Sequence, residues 1–136
     1  MNTTENKNSI FPKGEKAPAE YFTGNAWIKM LVPNDGDLNC QIGNVMFEPD
    51  ARNNWHTHSG GQVLIVTDGI GYYQEKGKAI QLIRKGDVVK IFPGVVHWHG
   101  ASPDCELTHI AINTNTQKGV VEWLERVSDE EYNSFK

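Results

Sequence analysis

The chain has 136 residues, 38% of them hydrophobic and 22% charged, which fits one soluble globular domain spanning residues 1–136. A formal net charge of −4 with no basic block argues against nucleic-acid partners and a polybasic membrane patch, and no apolar run approaches the ~20 residues of a membrane span. The polar opening Met1-Asn2-Thr3-Thr4 lacks a signal-peptide core, so the expected location is cytoplasmic, where Cys40 and Cys105, both in expected strands, read as two buried thiols.

Residues 1 to about 20 read as a flexible arm containing Pro12, Gly14 and Pro18, with Ile10, Phe11, Tyr21 and Phe22 available to dock. From there the chain breaks into short apolar runs separated by turn residues. Strands are expected over 26–32, 40–48, 55–58, 62–67, 71–75, 79–84, 88–92, 96–100, 106–113 and 120–127. Asp68-Gly69 between the fourth and fifth runs is a hairpin dipeptide. Ser128-Asp129-Glu130-Glu131 has the form of a capping box and should start a short C-terminal helix running from about Asp129 towards Phe135. Many short, evenly spaced strands indicate an all-β sandwich or barrel with its core over about 26–127. The run 120–127 is long and partly apolar. Left bare, such an edge invites pairing, and a homodimer covering it is expected.

The chemistry concentrates in five histidines, all between residues 56 and 109. Four form the pairs His56-Thr57-His58 and His97-Trp98-His99. On a strand both members of a His-x-His pair project from one face, so two imidazoles can grip one ion; on a helix they diverge. Gln62 follows the tight Gly60-Gly61 turn and can bring its carbonyl oxygen back beside the first pair. His56, His58, Gln62 and His97 together offer three imidazoles and one oxygen, a shell suited to Zn, Mn, Fe, Co or Ni with positions left for a small-molecule substrate. A Gln leaves the charge of a divalent ion uncancelled, which strengthens its pull on a substrate oxygen. His99 shares the face of His97, roughly 6–7 Å along the strand, and reads either as an acid/base group or as a core histidine bonded to backbone. His109, between Leu107 and Ala111 on its face, is open to the same two readings. Trp55 and Trp98 alternate with the histidines and should pack behind the site. Trp27, Met30, Met46 and Phe47 read as barrel lining or interface, Arg52 as a surface ion pair ahead of an anion contact at the mouth, and Glu122, Glu125 and Arg126 as a solvated or subunit-facing edge.

These residues resemble the cupin family. Its first motif, a Gly followed at set spacing by His-x-His, Glu and Gly, is matched from Asp50 to Gly69, with Asp50 in place of the first Gly and Gln62 in place of the Glu. Its second motif is matched by Gly86, Gly94 and His97, with Phe92 in place of a Pro and Ala101 in place of an Asn. The strings Ala51-Arg52-Asn53-Asn54-Trp55-His56-Thr57-His58 and His97-Trp98-His99-Gly100-Ala101 are similar to a small single-domain subgroup. That subgroup contains bacterial manganese-dependent hydroxynitrile lyases and the cupins related to carboxymuconolactone decarboxylases. The resemblance implies a double-stranded β-helix (jelly-roll) barrel. It implies one divalent metal per chain, manganese first, on His56, His58, Gln62 and His97, with His99 and His109 as acid/base groups. The function expected is a metal-dependent lyase or isomerase acting on a small carbonyl or hydroxy compound. A cupin dioxygenase using Fe, Ni or Cu, and a non-enzymatic ligand-binding module, are the alternatives.

Overall fold

The structure, a computed structural model, describes residues 10–135. Its elements are β1 (Glu15–Lys16), β2 (Phe22–Thr23), β3 (Ala26–Asp35), β4 (Cys40–Phe47), β5 (Arg52–Asn53), β6 (His56–Thr57), β7 (Gln62–Glu75), β8 (Gln81–Arg84), β9 (Val88–Ile91), β10 (His97–Ala101), β11 (Leu107–Thr114), β12 (Glu122–Trp123) and α1 (Asp129–Tyr132). Two antiparallel faces share β7. Its first half pairs with β9 and β11 and continues through β4 and β3 to β1; its second half pairs with β8 and β10 and continues through β5 to β2. β6 lies on the same side of β10 as β5, and β12 pairs with β6. This is the expected all-β double-stranded β-helix.

The sheets meet at Asp68-Gly69, which is a bend inside one 14-residue strand and not a hairpin. Gly69 takes φ +84, whereas Asp68 is not among the positive-φ residues. A two-residue type I′ turn needs positive φ at both central positions, so a single one bends the strand instead. The pairing with β11 slips between Thr108 and His109 beside this bend. A Cβ on Gly69 would run into the Glu106 carbonyl.

The main core lies between the faces and includes Phe22, Val45, Phe47, Leu64, Val66, Tyr73, Ile83, Ile91 and Leu107. A second cluster, Trp55, Tyr72, Ile80, Trp98, Val127 and Tyr132, packs outside the face that carries the histidines. Trp55 and Trp98 therefore sit behind the site, as their alternation with the histidines predicts. The C-terminal segment covers this second cluster. The run 120–127 is a strand only at Glu122–Trp123, where it pairs with Thr57 and His56. Beyond that it keeps two backbone bonds with Trp55 and turns Val127 fully inward, so the bare edge on which a dimer was expected is two residues long. The capping box of Ser128 and Glu131 forms, but α1 ends at Tyr132, followed by the weak helix formers Asn133 and Ser134.

Three local expectations are corrected. The N-terminal arm is not loose from Glu15 onward: β1 pairs with Trp27 and Ile28, while Ala17 and Phe22 enter the core. Residues 1–9 lie outside the described residues. Arg52 does form an ion pair, with the exposed Asp129 at 2.6 Å, but its own side chain is buried, only 3% exposed, stacked over Tyr132 and 3.2 Å from the Val127 carbonyl. Cys105 lies in the turn before β11, and both cysteines are half-buried and free. No helix among the described residues is long and apolar enough to cross a membrane.

Candidate metal centre and active site

The histidines converge because β6 and β10 are neighbours in register. His56 stands opposite His97, and His58 lies one turn of the pleat beyond His56. The ring centroids of His56, His58 and His97 form a triangle with sides of 4.2, 4.9 and 5.4 Å. Gly60 allows the chain to turn back: a Cβ there would collide with the Thr114 carbonyl. Gln62, the first residue of β7, thereby returns to the same cavity as His56 and His58.

Each histidine of the triangle is locked through Nδ1 to a backbone carbonyl. His56 donates to Asn54 at 2.8 Å, His58 to Val120 at 2.6 Å and His97 to Val95 at 2.9 Å. A carbonyl only accepts, so in the neutral ring each Nδ1 carries the proton and each Nε2 presents a lone pair. Gln62 Nε2 donates to Asn113 Oδ1 at 2.9 Å. Left over, buried and without a partner, are His58 Nε2, His97 Nε2 and Gln62 Oε1. Buried polar atoms are normally satisfied. A group of lone pairs with no donor among them fits a divalent cation, and carbonyl-anchored imidazoles are the usual support of such a site.

His99 differs from these three. Its Nδ1 is 3.0 Å from Nε2 of His109, and the Asn53 amide nitrogen is 3.4 Å from both of its ring nitrogens. Asn53 Oδ1 also accepts the His99 backbone N–H at 2.9 Å. His109 Nδ1 is buried with no hydrogen-bond partner. An orphaned N–H is rarer than an orphaned acceptor, so we assign the shared proton to His109 Nε2. His99 then accepts at Nδ1 and carries its own proton on Nε2. Among the described residues, one ligand atom from each of His56, His97 and His99 lies within 4.8 Å of the others. His99 thus comes closer to the triangle than spacing along a straight strand suggests. The cluster of three histidines is able to hold a metal ion.

Burial keeps these rings neutral. Desolvation lowers His97 and His109 to about 4, and lowers His56 and His99 well below 6.5 with further help from neighbouring histidines. His58 is also lowered by burial, opposed by the Val120 carbonyl bonded to its Nδ1 and by the nearby Gln62 side chain. Unprotonated imidazole is the form that binds metal.

The cavity holds about 130 Å³, space for a small organic molecule given that one water needs about 10–15 Å³ on the same measure. Its apolar wall includes Phe22, Ile28, Met30, Phe47, Val121 and Trp123, and among the described residues neither an Arg, Lys, Asp nor Glu lines it. Met30 and Phe47 are therefore lining, as expected, whereas Trp27 donates its indole N–H to Glu48 and Met46 is buried. The structure brings His56, His58, Gln62, His99 and His109 to this one cavity, with His97 against His56. Asn53, Asn113 and Gln41 also belong to it and escaped the sequence reading. Asn113 was within reach, since it shares the strand face of His109 and Ala111. Asn53 carries no comparable spacing signal.

Residues 43–113 match the model of the cupin domain. The chain is 45% identical over 117 residues to an (R)-mandelonitrile lyase of Granulicella tundricola, covering 86% of this chain and 89% of that one. Among solved structures, a cupin-like protein from Thermotoga maritima superposes with a TM-score of 0.90 at 55% identity, covering 91% of this chain and 94% of that one. A cupin-2 domain from Rhodospirillum rubrum, at 16% identity and a TM-score of 0.66 over 87% of this chain and 75% of its own, shares the fold.

Proposed function

The chain belongs to the cupin family, and on that premise we propose that it is a metal-dependent lyase cleaving a small, uncharged hydroxy compound of the cyanohydrin type. The observation that carries this reading is the set of buried, unpartnered lone pairs on His58 and Gln62, which line a mainly apolar cavity, and on His97, packed against His56 beside it. We assign the metal to His56, His58, Gln62 and His97, manganese first, with His99 beside it. The tautomers favour this set over His56, His97 and His99, because His99 Nε2 carries a hydrogen in its resting form. A divalent ion held there supplies Lewis-acid polarisation of the substrate hydroxyl oxygen.

The remaining steps belong to the chain. The cavity wall, which among the described residues carries no side chain of fixed charge, selects an apolar substituent. Cleavage of a cyanohydrin breaks the bond between the carbinol carbon and the nitrile carbon. The bonding pair leaves on cyanide, the hydroxyl oxygen becomes the aldehyde oxygen, and the hydroxyl proton ends on cyanide. His99, which lines the cavity and is protonated at Nε2 in this tautomer, is placed to give that proton to the departing cyanide and to take up the hydroxyl proton in its place, which returns the ring to its starting form. His109 donates to His99 Nδ1 and holds this ring orientation. The similarity to a mandelonitrile lyase supports the same reaction class. The reading is tested by following aldehyde release from mandelonitrile with manganese-loaded protein, and oxygen uptake without aldehyde release would favour a dioxygenase instead.

A further inference from the structure

Gln41, Asn113 and Gln62 stand directly opposite one another on the adjacent strands β4, β11 and β7. All three line the cavity. Their amides form a row: Gln62 Nε2 donates to Asn113 Oδ1 at 2.9 Å, and Asn113 Nδ2 donates to Gln41 Oε1 at 2.9 Å. Gln62 is 5% and Asn113 8% exposed, so little water is available to replace either bond.

The direction of this row has a chemical consequence. The two ends of a glutamine amide are nearly alike in shape and opposite in function, since the oxygen can ligate a cation and the NH₂ cannot. A glutamine ligand thus has a failure mode that a glutamate lacks, a half-turn that presents NH₂ to the ion. Here that half-turn sets Gln62 Oε1 against Asn113 Oδ1, acceptor facing acceptor in a buried place. Asn113 escapes only by turning too, which sets its oxygen against Gln41 Oε1 unless Gln41 turns as well, so reversing Gln62 without losing a hydrogen bond takes three amides turning together. The row therefore favours one orientation of Gln62, with Oε1 aimed away from Asn113.

We propose that Asn113, anchored by Gln41, is a positioning residue that keeps the Gln62 oxygen towards the histidine cluster and so raises metal affinity without touching the ion. This rests on the reading of Gln62 as a ligand. Support from outside the ligand shell typically accounts for about 10–100-fold in metal affinity.

The test is cobalt(II) affinity, measured by competition with a colorimetric chelator on the purified full chain. Asn113→Leu should weaken binding about 10–100-fold, whereas Asn113→Asp, which still accepts from Gln62, should bind no more weakly than wild type. Gln41→Leu should weaken it by less. In a Gln62→Leu background, Asn113→Leu should cause no further loss, which a general structural effect would not spare. Unchanged affinity in Asn113→Leu, or an equal further loss in the Gln62→Leu background, overturns the positioning role alone. If Asn113→Leu fails to fold, Gln41→Leu carries the test, and unchanged affinity there overturns the proposal. Wild type that binds no cobalt, or Gln62→Leu that binds as wild type does, removes the ligand reading and this proposal with it.

Discussion

His99 Nδ1 and His109 Nε2 lie 3.0 Å apart in a place almost free of solvent, with His99 3% and His109 0% exposed. The contact separates His99 from the three histidines whose Nδ1 atoms bond to carbonyls. We expect His99→Ala to keep metal and fold, and His97→Ala to lose metal. Elemental analysis of the two variants, purified without chelator, checks this. Loss of metal in His99→Ala as complete as in His97→Ala would make His99 a ligand.

Gln62→Glu should tighten metal binding and lower turnover. The carboxylate adds an attraction to the ion and neutralises part of the charge that polarises the substrate. Accommodating it requires Asn113 to turn its NH₂ towards residue 62, with Gln41 turning in response. Retention under chelator challenge is the measurement, and weaker retention in the Glu variant would count against a ligand role for Gln62.

The buried histidines make the metal-free protein acid-sensitive. His97 and His109 sit at about 4 in the fold, against about 6.5 in the unfolded chain. Between those values the unfolded state binds more protons, so stability falls as pH drops from about 6.5 towards 4 and is level with respect to these groups above that window. Urea midpoints of the metal-free protein at several pH values should show the decline. A midpoint unchanged down to pH 5 would mean that these rings are not held neutral.

Arg52 serves the scaffold. Its guanidinium stacks over Tyr132 and bonds to Val127 and Asp129, tying β5 to the C-terminal segment. Arg52→Ala should cost about 2 kcal/mol through lost packing and charge-assisted hydrogen bonds, with metal content unchanged. Urea denaturation beside elemental analysis tests both halves of this expectation.

The legible parts of the sequence were those set by local periodicity. The His-x-His pairs, the Gly60-Gly61 return and the Ser128 capping box each express a rule of short range and each is found in the structure, although the strand carrying the first pair ends at Thr57, one residue before His58. What was not legible depends on distant partners. Asp68-Gly69 has hairpin chemistry, yet the strand continues because β11, β8, β9 and β10 supply partners on both sides of the bend. Arg52 looks like a surface charge until the C-terminal segment folds over it. The row Gln41–Asn113–Gln62 exists only through the register of three strands widely separated in sequence, and the 3.0 Å contact of His109 with His99 likewise joins two strands.

The most direct test of a metal-assisted lyase with His99 as its proton-handling group is benzaldehyde release from mandelonitrile, with manganese-loaded wild type and His99→Ala compared at equal metal content. We expect wild type to turn over well above free manganese, and His99→Ala to fall by about 10²–10⁴-fold, the range for loss of a general acid/base group. Wild-type turnover no greater than that of free manganese would contradict the lyase assignment, and full activity in His99→Ala would contradict the role of His99.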